Sequence, residues 1–231
     1  MQEKRSIYID EQLINYTVIR TRKRKKTIEL TFDNGQLVVR SPFGVSYKEI
    51  DRLVWDKAAW ILQQKEYIKQ YSPSQKQFVA GEEFFFLGEQ YQLKMLQDTD
   101  KVFTQECLLC VPMGDIDRTR QLIKKWYFQQ AQEIINSRIN YYQSLMGVQV
   151  KKVKIKEQKT LLGSCSYLGN ININWKIIMA PYEIIDLIVV HELVHIKVRN
   201  HSAEFYREMG KILPDYRQRQ KWLRENRFLL M

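Results

Sequence analysis

The sequence predicts an α+β protein, and three observations support that fold class. The first third of the 231 residues alternates apolar and polar side chains, as half-buried strands do. Two long stretches, residues 47–71 and 117–145, carry apolar residues at the spacing of amphipathic helices. Hydrophobic residues make up 45% of the chain, which is enough to bury a core in one large domain or two small ones.

The N-terminal part is predicted to be rich in strands and to end in a long helix. INYTVIR, TIELTF and QLVVRSP are strand candidates, and DNG at 33–35 predicts a hairpin turn between the second and the third. Ser46 and Glu49 have the spacing of a capping box, which marks a helix start. We expect this amphipathic helix to reach about Tyr71, with one apolar face formed by Ile50, Val54, Ile61 and Ile68.

The middle of the chain combines a linker candidate, strands and a second helix. YSPSQ at 71–75 is short, polar and interrupted by Pro73, so it is the best candidate for a linker. The segments EFFFLGEQYQLKML and KVFTQECLLCVP follow and resemble strands. A second long helix is predicted from about Asp117 to Leu145, and Gly147 is a typical residue for ending it.

The last third contains two further strand segments and another helix. VQVKKVKIKE is predicted to be a strand, and LLGSCSYLGNININW a hairpin that turns at residues 168–170. NININW is our candidate for an exposed edge strand, and an interior strand is the alternative. Pro181 is placed in the first turn of the next helix.

The chain has only three histidines, and all of them lie in HELVHIKVRNH at 191–201. His191 and His195 are one helical turn apart and differ by about 40° around the axis, so both imidazoles lie on the same face. In an H-E-x-x-H motif two neutral imidazoles hold a metal ion, and the carboxylate, here Glu192, reaches a water molecule beside it. The pattern predicts a catalytic zinc site rather than a histidine buried in the core.

Zinc needs a third protein ligand, and His201 is the best candidate. A helix that ends near Val198 and turns at residues 199–200 would bring His201 back toward the metal. Asn200 suits such a turn because asparagine tolerates the left-handed conformation, and Ser202 would then cap the next helix. Glu204 and Glu208 are the alternative third ligands.

The segment from the GSCS sequence at 163–166 through the histidines resembles the YgjP-like metal-dependent hydrolases, which are zincin-like and allied to SprT-type peptidases. The similarity is close over residues 160–223 and looser over the N-terminal basic hairpin. It implies a metallopeptidase domain over residues 12–226, with a β-rich part at 1–112 and a catalytic part at 113–231. The active-site helix would pack on a small antiparallel or mixed sheet.

The resemblance also assigns the site residues. It implies that His191, His195 and His201 hold one zinc ion per chain and that Glu192 is the catalytic base, while Phe205 matches the aromatic residue that follows the third histidine. Two positions differ from related patterns. Leu162 replaces the tryptophan that usually precedes GSCS, and Val198 stands where metzincins have a glycine, so the turn must be made differently, at Asn200.

Three cysteines are too few and too isolated for a disulfide framework, and they fit a reducing compartment. Cys107 and Cys110 have CxxC spacing, but no second pair is present and the segment resembles a single strand, so we interpret both as core residues rather than metal or redox ligands. Cys165 as a nucleophile would need a histidine to activate it, and all three are assigned to the metal.

The formal net charge of +11 makes anionic partners plausible. RTRKRKK at 20–26 and KKVKIKEQK at 151–159 are basic runs, which we interpret as solvated surface with nucleic-acid or nucleotide docking as the alternative. The start, MQEKRSIYID, lacks the pattern of a secretory signal, and no apolar run is long enough to cross a bilayer. We therefore expect a cytoplasmic protein without a membrane partner.

The leading functional hypothesis is a zinc-dependent hydrolase, a metallopeptidase acting on peptides or proteins. The second is a metal-dependent nucleotide phosphoanhydride hydrolase, although such enzymes usually present several carboxylates. The third is a nucleic-acid-binding module with a structural zinc, although structural sites normally close with four ligands, mostly cysteine.

Overall fold

The computed structural model describes residues 2–9, 12–22, 27–33, 35–71, 76–158 and 161–230, without the side chains of 33, 67–71 and 228. The chain forms two compact units, Met1–Gln75 and Lys76–Met231. The boundary between them falls at the end of the predicted linker at 71–75, of which residues 72–75 lie outside the described residues. The boundary between residues 112 and 113, which separates a β-rich from a catalytic part, stays a prediction.

The first unit is a four-stranded sheet followed by helices. Its elements are β1 (Gln2–Ile9), β2 (Gln12–Arg20), β3 (Glu29–Asp33), β4 (Gln36–Ser41), α1 (Tyr47–Asp56) and α2 (Ala58–Tyr71). The strand order is β1-β2-β4-β3, with β2 and β4 parallel and the outer pairs antiparallel. Strand β1 was not predicted, because as an edge strand it buries only Ile9 and its polar residues hide the strand pattern.

The helical part of this unit differs from the prediction in one respect. The capping box of Ser46 and Glu49 is confirmed, but the predicted single helix is broken at Lys57, whose φ of −103° and ψ of 14° end α1. The apolar face nevertheless continues across the break, because Ile50, Val54 and Ile61 are all fully buried against the sheet. The side chain of Ile68 lies outside the described residues.

The second unit begins with another four-stranded sheet and a long helix. Its elements are β5 (Glu83–Phe86), β6 (Glu89–Leu96), β7 (Phe103–Gln105), β8 (Leu108–Pro112), α3 (Ile116–Met146), β9 (Lys152–Lys156), β10 (Gly163–Cys165), β11 (Asn170–Asn174), α4 (Tyr182–Lys197), α5 (Ala203–Ile212) and α6 (Tyr216–Asn226). Short 3-10 helices cover Trp175–Met179 and Arg227–Leu230. Helix α3 confirms the second predicted helix, with Asp115 as N-cap and Gly147 as a left-handed C-cap.

The sheet of strands β5 to β8 repeats the topology of the first unit. Its order is β5-β6-β8-β7, again with a central parallel pair between two antiparallel hairpins and a helix after the last strand. The sequence shows no internal repeat, because strand pairing is made by the backbone and the two sheets use different side chains.

The CxxC segment is a hairpin, not the single strand that the sequence predicted. Strands β7 and β8 pair antiparallel, and Glu106, with a φ of +52°, forms the turn between them. Cys107 is therefore exposed beside the turn, whereas Cys110 on β8 is buried as expected. Both cysteines are free. The interpretation as a core residue is confirmed for Cys110 and is wrong for Cys107, which is exposed.

The three-stranded sheet β10-β11-β9 lies beside the histidine helix. Strands β10 and β11 form the predicted hairpin, and Gly169 makes its turn with a φ of +75°. Strand β11 is central, since it pairs with β9 on its other side, so its assignment as an edge strand was wrong and the interior alternative holds. Ile171 and Ile173 are fully buried.

The start of α4 is fixed by the turn between β5 and β6. Leu87 donates its backbone N–H to the carbonyl of Ile178, and Gly88 donates to that of Met179, both in the 3-10 helix that precedes α4. A Cβ on Gly88 would lie 2.7 Å from Cγ of Pro181, the N-cap residue of α4, so only glycine permits this approach. Of the described helices, none is both long and apolar enough to cross a membrane.

Candidate metal centre

Helix α4 carries two of the three histidines through the centre of the second unit. Every residue from Ile184 to Val190 is buried, as expected for a helix that is apolar on all sides and packed by α3, β10, α5 and α6. His191 and His195 lie near its C-terminal end and are partly exposed, while Glu192 between them is only 5% exposed. The polar side chains of His191, Glu192 and His195 therefore lie at the end of α4 where the helix leaves the core.

The three histidines come together. One ring nitrogen from each of His191, His195 and His201 lies within 4.8 Å of the others, and Nε2 of His191 is 3.0 Å from Nε2 of His201. In a tetrahedral zinc site with Zn–N distances of 2.0–2.1 Å, ligand nitrogens stand about 3.4 Å apart. Within the described chain this is the one cluster of three or more potential ligand residues.

The chain returns to the site by an extended residue rather than by the expected left-handed one. Val198 ends α4 with a φ of −125° and a ψ of 110°, and its N–H bonds to the carbonyl of Val194. The chain bends at Asn200, as predicted, but Asn200 is not left-handed, since the described non-glycine residues with positive φ are Phe78, Leu87 and Glu106. Ser202 is the N-cap residue of α5, as predicted, but its side chain makes no capping hydrogen bond.

Hydrogen bonding and packing orient the rings. Nδ1 of His195 lies 3.1 Å from the carbonyl oxygen of Val198, and a proton on Nδ1 leaves Nε2 as a free ligand atom. Phe205 is fully buried beneath all three imidazoles, with ring centroids 4.7–4.9 Å away. The aromatic residue that follows the third histidine is thus the floor of the cluster.

His191 and His195 are poised in the neutral form that binds metals. Burial, helped by the neighbouring His195 and His201, lowers the pKa of His191 to about 4. Burial also lowers the pKa of His195. Both imidazoles therefore hold a free lone pair at neutral pH, which is the state that a transition metal requires.

Glu192 is held against a glycine that the sequence analysis did not single out. Burial raises the pKa of Glu192 to about 7, which suits a group that takes up and releases a proton near neutral pH. A Cβ on Gly163 would lie 2.5 Å from Oε1 of Glu192, so only glycine on β10 leaves room for this carboxylate. The GSCS motif contained the signal, but sequence alone did not show which neighbour required the glycine.

The surroundings of Leu162 and Cys165 favour structural rather than catalytic roles for both residues. Burial raises the pKa of the Cys165 thiol, with a further contribution from Glu192, which disfavours the reactive thiolate. Leu162 is buried, in agreement with a packing role, and its carbonyl accepts a hydrogen bond from the N–H of Asn174. The alternative ligands Glu204 and Glu208 lie outside the cluster; Glu204 is exposed, and Glu208 is partly buried and pairs with Lys211 instead.

Two sets of contacts that the sequence did not reveal connect α4 to its neighbours, the β10–β11 turn and α3. Arg199 donates to the carbonyls of Ser166 at 3.0 Å and Tyr167 at 2.9 Å, which ties the β10–β11 turn to the end of α4. On the other side of α4, Asp186 receives two hydrogen bonds from Arg138 of α3, at 2.6 and 2.8 Å.

The donor set fits a single transition-metal ion. Three imidazole nitrogens converge, with no carboxylate among them, which suits zinc-type ions and not magnesium or calcium. Three protein ligands beside a buried carboxylate leave a coordination position for water or substrate, as in catalytic rather than structural sites. The fold and site define the class of metal-dependent hydrolases with a helical H-E-x-x-H motif.

Comparison with known proteins places the chain in a family. The model of the YgjP-like metallopeptidase domain matches residues 26–226, so the protein belongs to this family and is a metal-dependent hydrolase of the peptidase type. Two solved structures are similar over part of the chain. The metallopeptidase zymogen abylysin of Pyrococcus abyssi is 22% identical with a TM-score of 0.37, covering 40% of this chain and 95% of its own. The zymogen jannalysin of Methanocaldococcus jannaschii is 20% identical with a TM-score of 0.36, covering 38% and 92%. No curated protein matches.

Proposed function

We propose that the protein is a zinc-dependent metallopeptidase in which Glu192 activates the attacking water. The observation that carries this proposal is the convergence of His191, His195 and His201 beside the buried carboxylate of Glu192. One zinc ion held by the three imidazoles would polarise a carbonyl and bring the pKa of a coordinated water to about 7.

Glu192 does the proton chemistry. Its raised pKa of about 7 lets it accept a proton from the attacking water and then deliver it to the leaving amine nitrogen of the cleaved peptide bond. Gly163 keeps this carboxylate in place, and Phe205 holds the imidazoles that fix the ion. The flanking position of Glu192 on α4 allows it to serve the open side of the cluster.

The strand best placed for substrate docking is β10, because β11, our candidate edge strand, is interior. Strand β10 ends the three-stranded sheet, so its outer backbone edge has no strand partner among the described residues. It also contains Gly163, which touches Glu192. We propose that a substrate peptide adds to this edge in extended form, which would place its scissile bond beside the carboxylate.

The two other functions that the sequence suggested have less support. A nucleotide hydrolase would be expected to gather several carboxylates around magnesium, whereas this site holds three imidazoles. A structural zinc would need a fourth protein ligand, and the described chain places no cysteine in the cluster. The free cysteines remain the reason to propose a cytoplasmic location.

Replacing Glu192 by glutamine tests the mechanism. The amide keeps the size and removes the base, so the zinc-loaded variant should bind zinc fully and lose roughly 10²–10⁴ in rate. Glu183→Gln is the matched control, since Glu183 is an exposed residue of the same helix. Rates are measured on a mixed peptide library and on nucleoside triphosphates, with zinc content determined by elemental analysis.

The outcomes separate the hypotheses. A native rate for Glu192→Gln with the metal still essential would show that another group is the base. Hydrolysis of the triphosphates alone, lost in the same variant, would keep the site and replace the peptidase by a nucleotide hydrolase. A protein purified after growth with zinc that contains no transition metal would end the metal-centre assignment.

A further inference from the structure

Strand β9 presents a row of lysines on one face of the three-stranded sheet. Lys152, Lys154 and Lys156 are exposed and point to the same side, because alternate residues of a strand share a face, with about 6.7 Å between neighbours. The opposite side of β9 faces α3, where Glu157 forms an ion pair of 2.7 Å with Lys124. The lysine row therefore lies on the side away from α3.

The rest of this face is neutral and polar. The register places Asn170, Asn172 and Asn174 of β11 beside the three lysines, and Ser164 of β10 beside Asn172. Asn174 is buried, so Asn170, Asn172 and Ser164 are the residues of β10 and β11 that this face presents. Across the three strands this face carries no acidic residue. No ion pair to the three lysines is present within the described chain. Uncompensated positive charge on a sheet face without acidic residues suits a linear polyanion.

An aromatic side chain stands at one end of the lysine row. The β10–β11 turn lies at the Lys152 end of β9, since Lys151 donates its N–H to the carbonyl of Gly169 at 3.0 Å. Tyr167 in this turn is 84% exposed, the highest value among the exposed large hydrophobic residues. The guanidinium of Arg199 lies 5.1 Å from its ring centroid and adds a positive charge there.

We propose that this face, which we call the lysine face (residues 152, 154, 156, 164, 170 and 172), binds single-stranded nucleic acid together with Tyr167 in the turn at its end. The lysines contact successive phosphates, and Tyr167, supported by Arg199, stacks on a base. This is the combination of basic track and aromatic platform by which proteins bind single strands without sequence preference. The basic run at 20–26 lacked such an aromatic in sequence, and residues 23–26 lie outside the described residues.

A single strand fits this surface better than the other anionic partners. The charges form one line along one strand, which matches a narrow linear chain rather than the area of a membrane. The amides of Asn170 and Asn172 donate to the hydroxyls of Ser166 and Ser164, so they leave the surface beside the lysines neutral and without a group that repels phosphates. A base can stack on an exposed ring only where it is unpaired, so Tyr167 favours single over double strands.

The test is fluorescence anisotropy with the full-length protein and a labelled oligothymidine, over a series of salt concentrations. The Lys152→Gln/Lys154→Gln/Lys156→Gln variant should lower the magnitude of the salt slope, log Kd against log salt, by about 2, since three contacts to a single strand are lost. The matched control is Lys94→Gln/Lys101→Gln/Lys125→Gln, which removes the same charge from exposed lysines on other elements. This control should keep most of the slope.

A second pair of variants tests the stacking step. Tyr167→Ala should weaken binding by roughly 5- to 150-fold, while Tyr167→Phe should bind like the native protein. Both changes lie at an exposed position, and circular dichroism and zinc content check that the fold and the metal centre are kept. The result does not depend on peptidase activity, so the two proposals fail separately.

Three results would overturn the proposal. The first is no binding of the native protein at low salt. The second is an equal loss of slope in the two lysine variants, which would assign binding to net charge or to the run at 20–26. The third is equal affinity of Tyr167→Ala and Tyr167→Phe, or binding only to a duplex of the same length or to phosphatidylserine vesicles.

Discussion

At the scale of single residues, the site depends on small and apolar neighbours as much as on its polar groups. Gly163 leaves the space that the Glu192 carboxylate occupies, and Phe205 supports the three imidazoles from below. Neither residue takes part in acid–base or metal chemistry, yet both decide where the reactive atoms stand.

Gly163→Ala should impair catalysis without removing the metal. The added methyl group would lie 2.5 Å from Oε1 of Glu192, so the carboxylate must move, and a displacement of about 1 Å can cost about 100-fold in rate. Zinc content should stay at the native level, because the three histidines are untouched. Gly44→Ala is the control, since a Cβ there meets no atom within 4 Å. An unchanged rate in Gly163→Ala would show that Gly163 does not position the Glu192 carboxylate.

The identity of the third ligand can be tested by competition with a zinc chelator. His201→Ala should weaken zinc binding by more than about 100-fold, since losses of that size already follow changes in the residues that merely orient ligands. Glu204→Ala and Glu208→Ala should bind zinc like the native protein, because neither residue belongs to the cluster. Zinc retained by His201→Ala and lost from either glutamate variant would reverse the assignment.

At the scale of secondary-structure elements, α4 is braced by α3. Arg138 contacts both carboxylate oxygens of Asp186, and the hydroxyl of Tyr142 donates to the same group at 2.9 Å. The hydrogen bonds to Asp186 raise the pKa of Arg138, while burial is the main reason that the pKa of Tyr142 is raised. This cluster lies just over one turn before His191 and fixes the helix that carries His191 and His195.

Asp186→Ala should destabilise the protein by roughly 2–4 kcal/mol, because it leaves the Arg138 charge and the Tyr142 hydroxyl without their partner. Tyr142→Phe removes one hydrogen bond and should cost about 1 kcal/mol. Both values come from urea denaturation of the zinc-loaded protein. Equal and negligible losses in the two variants would show that the brace does not stabilise α4.

At the scale of the whole molecule, two buried site residues make the stability of the metal-free protein depend on pH in opposite directions. Burial raises the pKa of Glu192 from 4.5 to about 7, so its contribution is complete below pH 4.5 and is lost as the pH rises through 7. Burial lowers the pKa of His191 from 6.5 to about 4, so its contribution is present above pH 6.5 and is lost as the pH falls through 4.

Glu192→Gln should therefore gain stability with rising pH relative to the native protein. The glutamine variant lacks the carboxylate that must ionise in a buried position, so the difference in unfolding free energy should grow by roughly 2–3 kcal/mol between pH 5 and pH 8. The measurement is urea denaturation after removal of metal by a chelator, with Glu183→Gln as control. A difference that does not change with pH would mean that Glu192 has an ordinary pKa in the folded chain.

Sequence analysis predicted the features that rest on local patterns. The H-E-x-x-H spacing defined the pair of histidines on one helical face, and the return of His201 agrees with the structure. Capping residues such as Ser46 and Gly147 marked helix ends, since their hydrogen bonds and φ angles are local properties. These patterns can be recognised in the sequence because they involve residues only a few positions apart.

Tertiary structure decided the features that depend on residues distant in sequence. Three features differ from the local prediction: the edge position of β10, the break at Lys57 and the exposure of Cys107. In each case the local sequence is compatible with more than one structure, and strand pairing and packing decide which one forms. The need for glycine at 163 arises from Glu192, twenty-nine positions later. The sequence by itself determined which chemical groups are available and on which helix face they lie. Only the tertiary structure determined where the edge strand, Gly163 and Tyr167 lie relative to these groups, because those contacts join segments that are far apart in the sequence.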